Sequence, residues 1–211
     1  MGQLLAFDLS TTVAGYSILD VLTQELIYID YYKFKEENLV DRANELVNLL
    51  ESIINNEKYN ITEIGLEENL KSFRAGGTNA SAMLNTSKIN FCFQYLIKFI
   101  YKKSLIEVNV MTARGACFPG FHIIARTQKG VKQKEIAFKM ALKELGTEIF
   151  PKKIMKSGLN KGKEVFIDEA SDMSDSWVIG KAILNIRNKP IIEKKIKVKK
   201  DIKTKEVKVK K

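Results

Sequence analysis

Apolar positions fall into two rhythms along the chain. Residues 3–9 form an almost unbroken apolar run, which suits a strand buried on both faces. Asp8-Leu9-Ser10-Thr11-Thr12, followed by Gly15, reads as a turn into a second strand at 16–20. A third, rich in Ile and Tyr, covers 25–34, and the short connections predict an antiparallel meander. The period then changes. Leu39, Val40, Ala43, Leu46, Val47, Leu50, Ile53 and Ile54 recur at three- to four-residue steps and predict a helix over 39–56. A short buried strand, 61–66, follows and ends at Glu67-Glu68.

A helix over 80–102 is apolar on nearly every side between Ile89 and Ile100, so it either lies deep or keeps a second face for a partner. Residues 107–111 read as a fifth strand and 112–130 as irregular. Helical periodicity returns at 133–145. A Lys/Gly-rich stretch runs to Lys163, and 165–167 leads into a final helix over 172–188. The order βββαβαβαα describes an α/β fold: a mixed five-stranded sheet, three antiparallel strands and then parallel ones, with helices on both faces.

With 45% apolar residues in a chain of 211, there is enough material for a sizeable core. No apolar run reaches the ~18 residues of a membrane span. The start, MGQLLAFDLS, has no basic region and reaches Asp8 early, so it does not read as a signal peptide. Two cysteines and one histidine exclude a disulfide scaffold and the usual structural zinc site, and a reduced, cytoplasmic setting is expected. The net charge is +10, but residues 189–211 carry eleven lysines against three acids, a net of +8. The chain therefore divides into a domain over 1–188 and a Lys-rich basic tail over 189–211. Such a tail is a phosphate-seeking arm that would raise affinity for any DNA and make it salt-dependent.

Candidate chemistry lies where elements end. Asp8 is near the end of the first strand and Glu67 near the end of the fourth; if those strands are parallel neighbours, both carboxylates reach one crevice at the sheet's carboxyl edge. Asp172 and Asp175, three apart at the start of the last helix, share a face. Glu68 competes with Glu67, and Asp168 and Glu169 compete with one helical Asp. Acids at a helix start also complement its dipole, so a purely structural reading stays open. Four converging carboxylates with no matching Lys or Arg would repel, and a hard divalent ion such as Mg²⁺ would relieve that. Two such ions ~4 Å apart can activate a water and stabilise the leaving oxygen of a phosphodiester.

The segments Phe7-Asp8-Leu9-Ser10-Thr11-Thr12 with Gly15, Ile64-Gly65-Leu66-Glu67-Glu68 and Asp172-Met173-Ser174-Asp175, in this order of elements, resemble the RuvC-like Holliday-junction resolvases of the RNase H-like superfamily, most closely the bacteriophage type. Val110-Met111-Thr112-Ala113-Arg114 and Gly130-Val131-Lys132-Gln133-Lys134 also fit. The resemblance implies a metal-dependent endonuclease that nicks four-way and other branched DNA as a homodimer through the helix over 80–102, leaving 3′-hydroxyl and 5′-phosphate ends. It implies catalysis and binding of Mg²⁺ (or Mn²⁺), two ions per site, by Asp8, Glu67, Asp172 and Asp175, and, for a phage protein, residence in the host cytoplasm.

DNA contacts are expected from Lys71, Phe73, Arg74, Arg114, Lys132 and Lys134, with Arg126 and Lys129 nearby. His122 reads as structural. The chain departs from the bacterial pattern: Asp8-Leu9-Ser10 replaces Asp-Pro-Gly, and Leu70 stands where an aromatic follows the catalytic Glu. A relaxed branched-DNA or flap nuclease, and an RNA–DNA hybrid ribonuclease, are the alternatives within the superfamily. An actin-like ATPase would need a second Gly-rich phosphate loop, which the sequence lacks.

Overall fold

A computed structural model describes residues 2–68, 80–128 and 130–188. Three strands form the expected meander: β1 (Gln3–Leu9), β2 (Val13–Asp20) and β3 (Leu26–Lys33) pair antiparallel. The Ser10 hydroxyl closes the first turn, donating to the Val13 carbonyl (2.9 Å) and accepting its N–H (3.0 Å). In the second turn the Asp20 carboxylate accepts from the Leu22 and Thr23 N–H groups at 2.8 and 2.9 Å. After α1 (Leu39–Ile54), β4 (Ile61–Glu67) returns parallel to β1, and β5 (Ser104–Val108) lies parallel to β4. The sheet order is β3-β2-β1-β4-β5, the mixed five-stranded arrangement expected from the sequence.

Strand alternation sends side chains to two separate cores. Leu5, Phe7, Leu9, Ile18, Ile64 and Leu66 meet α1 and α2 (Ala80–Tyr95), with the Phe93 ring edge-on to Phe7 at 4.9 Å. Leu4, Ala6 and Leu19 face the other way, onto α6 (Ala170–Arg187), which α3 (Val110–Cys117), α4 (Phe121–Thr127) and α5 (Gln133–Leu145) cover from outside. From Met173 to Gly180 every residue of α6 is buried, so this helix is the central mast of the fold. Two glycines let it lie close to the sheet: a Cβ at Gly65 would meet Ile183 Cδ1 at 2.6 Å, and one at Gly180 would meet Leu19 Cδ1 at 2.5 Å.

The structure corrects the expected elements in three places. β5 ends at Val108, and the stretch expected to be irregular is two helices; Asn109 caps α3 by accepting the Met111 N–H at 3.0 Å, and α4 starts from Gly120 in a left-handed conformation. The Lys/Gly-rich stretch holds a hairpin, β6 (Lys152–Ile154) with β7 (Glu164–Phe166). The helix expected over 80–102 stops being α-helical at Tyr95 and ends in a π-helical turn, Leu96–Ile100, in which the Tyr101 N–H reaches back to the Leu96 carbonyl.

The apolar girth of α2 and the π-helical turn that continues it serves two surfaces. Ile89, Phe93 and Ile97 are buried, whereas Leu84, Phe91, Tyr95 and Phe99 run at helical steps along the outside, Phe91 and Phe99 being 69% and 66% exposed. No described helix is long and apolar enough to cross a membrane.

Candidate active site

Asp8 shares the strand face of Leu4 and Ala6, the face under α6. On β4 the same face carries Glu63, Gly65 and Glu67. Glu63 pairs with Arg187 near the end of α6 (2.6 Å), Gly65 touches Ile183, and Glu67 therefore comes level with the start of that helix. Phe7 is in register with Leu66 across the parallel β1–β4 pair, which sets Asp8 beside Glu67 at the carboxyl edge. Asp172 and Asp175 complete the group from the first turns of α6.

Two cations enter this group, contrary to the expectation of unmatched acids. Lys134, in the first turn of α5, donates to Asp172 Oδ1 at 2.5 Å and stands 3.5 Å from Asp175 Oδ2 and 3.9 Å from Asp8 Oδ2. Arg114 of α3 is 7% exposed and brings one terminal nitrogen to both Asp175 oxygens, at 3.3 and 3.4 Å. Its Nε has no partner among the described residues.

Burial, and then the neighbouring Asp175 carboxylate, raise the Asp8 pKa well above the usual range. Burial raises that of Asp175 as well. Glu67 is pushed up to about 7, first by burial and then by Asp175, with Arg114 and Lys134 opposing. Burial works against the charge on Lys134, but Asp8 and Asp175 more than offset it, and its pKa is raised. Burial is the leading cause for all three acids, and the two cations offset it only in part.

A stability profile follows from Glu67. The unfolded chain releases this proton near 4.5 and the folded chain near 7, so over that window the folded state binds more protons. The contribution to stability is full below 4.5 and is lost as pH rises through 7. Glu67→Gln removes the loss, on the order of 2–3 kcal/mol. Without divalent ions at pH 8 its Tm should exceed wild type by roughly 5–10 °C, the gap closing by pH 4.5. Thermal scans of both proteins across pH in EDTA check this; parallel profiles would remove Glu67 from the cluster.

Gly15 makes the approach of α6 possible. It lies directly across from Asp8 in the β1–β2 register. A Cβ there would run into the carbonyl carbon and oxygen of Asp172 and stand 2.8 Å from the Met173 nitrogen. These are backbone atoms and cannot rotate away. The sequence marks Gly15 as a turn residue; its close contact with α6 appears only once the helix crosses β2.

The other sequence candidates are placed as follows. The influence of Asp175, Arg114 and Lys134 falls on Glu67. Asp168 is turned to Lys153 (3.8 Å) and Glu169 to Lys33 (3.0 Å), so neither joins the cluster. Lys132 caps α5 and is exposed, as are Arg126 and His122. Lys71, Phe73, Arg74 and Lys129, and the tail over 189–211, lie outside the described residues. Among the described residues no three Asp, Glu, His or Cys side chains stand close enough to grip one ion as they are; three of the four acids share the Lys134 ammonium instead.

No family model matches the chain, and no curated protein matches it in sequence. Solved structures do match in shape. RuvC of T. thermophilus in complex with Holliday junction substrate superposes with a TM-score of 0.58 at 13% identity, over 89% of this chain and 96% of that one. A second Thermus thermophilus RuvC structure gives 0.52 at 12% identity, over 88% and 95%. Similarity over nearly the full length of both chains at so low an identity is similarity of fold, and the chain is built on the RuvC form of the RNase H-like fold.

Proposed function

We propose that this protein is a metal-dependent endonuclease that nicks four-way (Holliday) and other branched DNA by hydrolysing phosphodiester bonds. One observation carries the reading: on a RuvC fold, carboxylates from β1 and α6 gather about a single ammonium at the carboxyl edge of the β1–β4 pair, with Glu67 beside them. One of the two similar structures is RuvC in complex with Holliday junction substrate.

The donors suit a hard cation: they are all carboxylate oxygens, and Lys134 already marks the place where positive charge is held. Asp8, Glu67, Asp172 and Asp175 would hold Mg²⁺ or Mn²⁺, two ions per site. Bound there, such ions would supply activation of a water and charge for the leaving oxygen, and the products would be 3′-hydroxyl and 5′-phosphate ends. Lys134, whose side chain is 42% exposed beside these oxygens, would meet a DNA phosphate at the site. Arg114 holds Asp175 in place from the buried side, and exposed Lys132 adds a phosphate contact at the rim.

The exposed stripe of Leu84, Phe91, Tyr95 and Phe99 would pair with its copy in a second protomer, giving two sites for opposing strands. Lys71, Phe73 and Arg74, which follow the strand that carries Glu67 in the sequence, are assigned to DNA because that place in the chain would set them beside the crevice.

A gel assay in Mg²⁺ tests all of this on a synthetic four-way junction, a flap, a linear duplex and an RNA–DNA hybrid. Paired symmetric nicks in the junction with intact duplex are expected. Equal cutting of every branched form would make it a relaxed debranching nuclease, and cutting of the hybrid alone a ribonuclease.

A further inference from the structure

The β6–β7 hairpin takes no part in the cluster, yet it is rooted against it. Phe166 at its base packs edge-on against Phe138 at 5.3 Å, and Phe138 in turn against Phe150 at 5.4 Å. Phe166 and Ile167 join a small core with Phe150, Ala170 and Met173, and Met173 lies between the two helical acids. From this root the hairpin runs outward in register: Lys152 faces Phe166, Ile154 faces Glu164, and the Met155 N–H donates to the Lys163 carbonyl at 3.0 Å. Gly158 and Gly162, both with positive φ (+78° and +80°), turn the tip.

Its surface is one-sided in charge. Lys152, Lys153, Lys156, Lys161 and Lys163 stand against Glu164 alone. Lys152 pairs with Glu164 and Lys153 with Asp168, while Lys156 and Lys161 make no ion pair among the described residues. Between those two, at the extreme of the tip, Leu159 is fully exposed. An isolated exposed leucine is ordinary. One held at the end of an anchored arm, with a free cation on either side, has the composition of a wedge: cations take backbone phosphates while an apolar tip enters a gap between bases.

We infer that the β6–β7 hairpin is a DNA-engaging arm of the active site, in which Lys156 and Lys161 hold phosphates flanking the branch point and Leu159 enters the unstacked step there. This rests on the nuclease reading above and adds to it the element that distinguishes branched from continuous duplex. Strand exchange interrupts continuous stacking at a branch, so opening a step costs less there and a wedge binds more readily than in a linear duplex.

The test uses the full chain on a four-way junction and a linear duplex of matched sequence, with affinity measured across salt, cleavage rate, and the fluorescence of 2-aminopurine at the crossover. K156E/K161E should weaken junction binding by roughly tenfold or more near 150 mM salt and lower the slope of log affinity against log salt by about 2. L159S should leave duplex affinity within about twofold, reduce the preference for the junction and lower the 2-aminopurine signal, with L159M restoring both. A variant with 156–162 replaced by Asn-Gly, which closes the same two strands, should show both losses while keeping the wild-type Tm.

If wild type cuts junctions and all these variants keep its affinity, salt slope and branch preference, the arm is overturned and the nuclease reading stands. If lysine reversal weakens binding but L159S is silent, the wedge is overturned. If wild type neither binds nor cuts any of the DNAs, the nuclease reading fails and the arm with it.

Discussion

Asp8→Asn should reduce DNA cleavage by on the order of 10³-fold or more while leaving junction affinity at or above the wild-type level. The substitution keeps size and shape and removes one negative charge from a group whose carboxylates already raise one another's pKa. A divalent cation would be held there by oxygen charge, so its affinity should fall, and with it the chemistry it would supply. A thousandfold loss corresponds to about 4 kcal/mol of transition-state stabilisation, a reasonable figure for one charged ligand at a buried site. Binding moves the other way, because a phosphate then approaches a less negative cleft. Single-turnover cleavage in Mg²⁺, set beside gel-shift affinity in EDTA, separates the two effects. Unchanged cleavage would sink the assignment of the metal site, and parallel loss of both would make Asp8 a structural residue.

The second large effect is expected at a residue that carries no charge itself. Gly15→Ala adds a single methyl group, but that methyl meets the backbone of Asp172 and Met173. Either α6 lifts from the sheet or β2 shifts, and both separate Asp8 from the helical acids by a fraction of an ångström or more. A misplacement of ~1 Å can cost about 10²-fold in rate. Cleavage should therefore fall by roughly 10²-fold, with overpacking lowering stability by about 1–3 kcal/mol. The informative readout is metal dependence. A displaced ligand set should raise the Mg²⁺ concentration needed for half-maximal cleavage, whereas a variant that is merely less stable should recover full rate and normal Mg²⁺ response below its melting range. Normal cleavage and Mg²⁺ response in Gly15→Ala would mean that the contact yields without moving the acids.

Much of this was legible in the chain because burial on two faces leaves a plain pattern. β1 reads directly from an unbroken apolar run, and α5 from its helical period. The four acids stood out because each falls at the end of an element, where a carboxylate is not needed for packing. Lys134 and Arg114 stood out only as DNA contacts; their pairing with the acids shows only when α5 and α3 pack on α6. The 104–117 region was misread for a local reason: Val108-Asn109-Val110 alternates like a strand, and the Asn109 cap, a single side-chain hydrogen bond, tips the following residues into a helix. The hairpin was missed because its strands are only three residues each, too short for an alternation to show, and β6 begins with two lysines. The greasy helix was legible as a helix but not in how it ends, because its apolar residues continue unchanged through the π-helical turn.

The position of α6 in the order of synthesis has a consequence for the cell. Every strand that this helix covers, and Asp8 and Glu67 with them, leaves the ribosome before residues 170–187 do. Until then the face carrying Leu4, Ala6 and Leu19 has no cover. A nascent chain at that stage would present an apolar sheet suited to chaperone capture, and only half of the acids. On the proposed reading, a nuclease assembled in this order would not cut DNA from an unfinished chain: activity would arrive in the same step that closes the core.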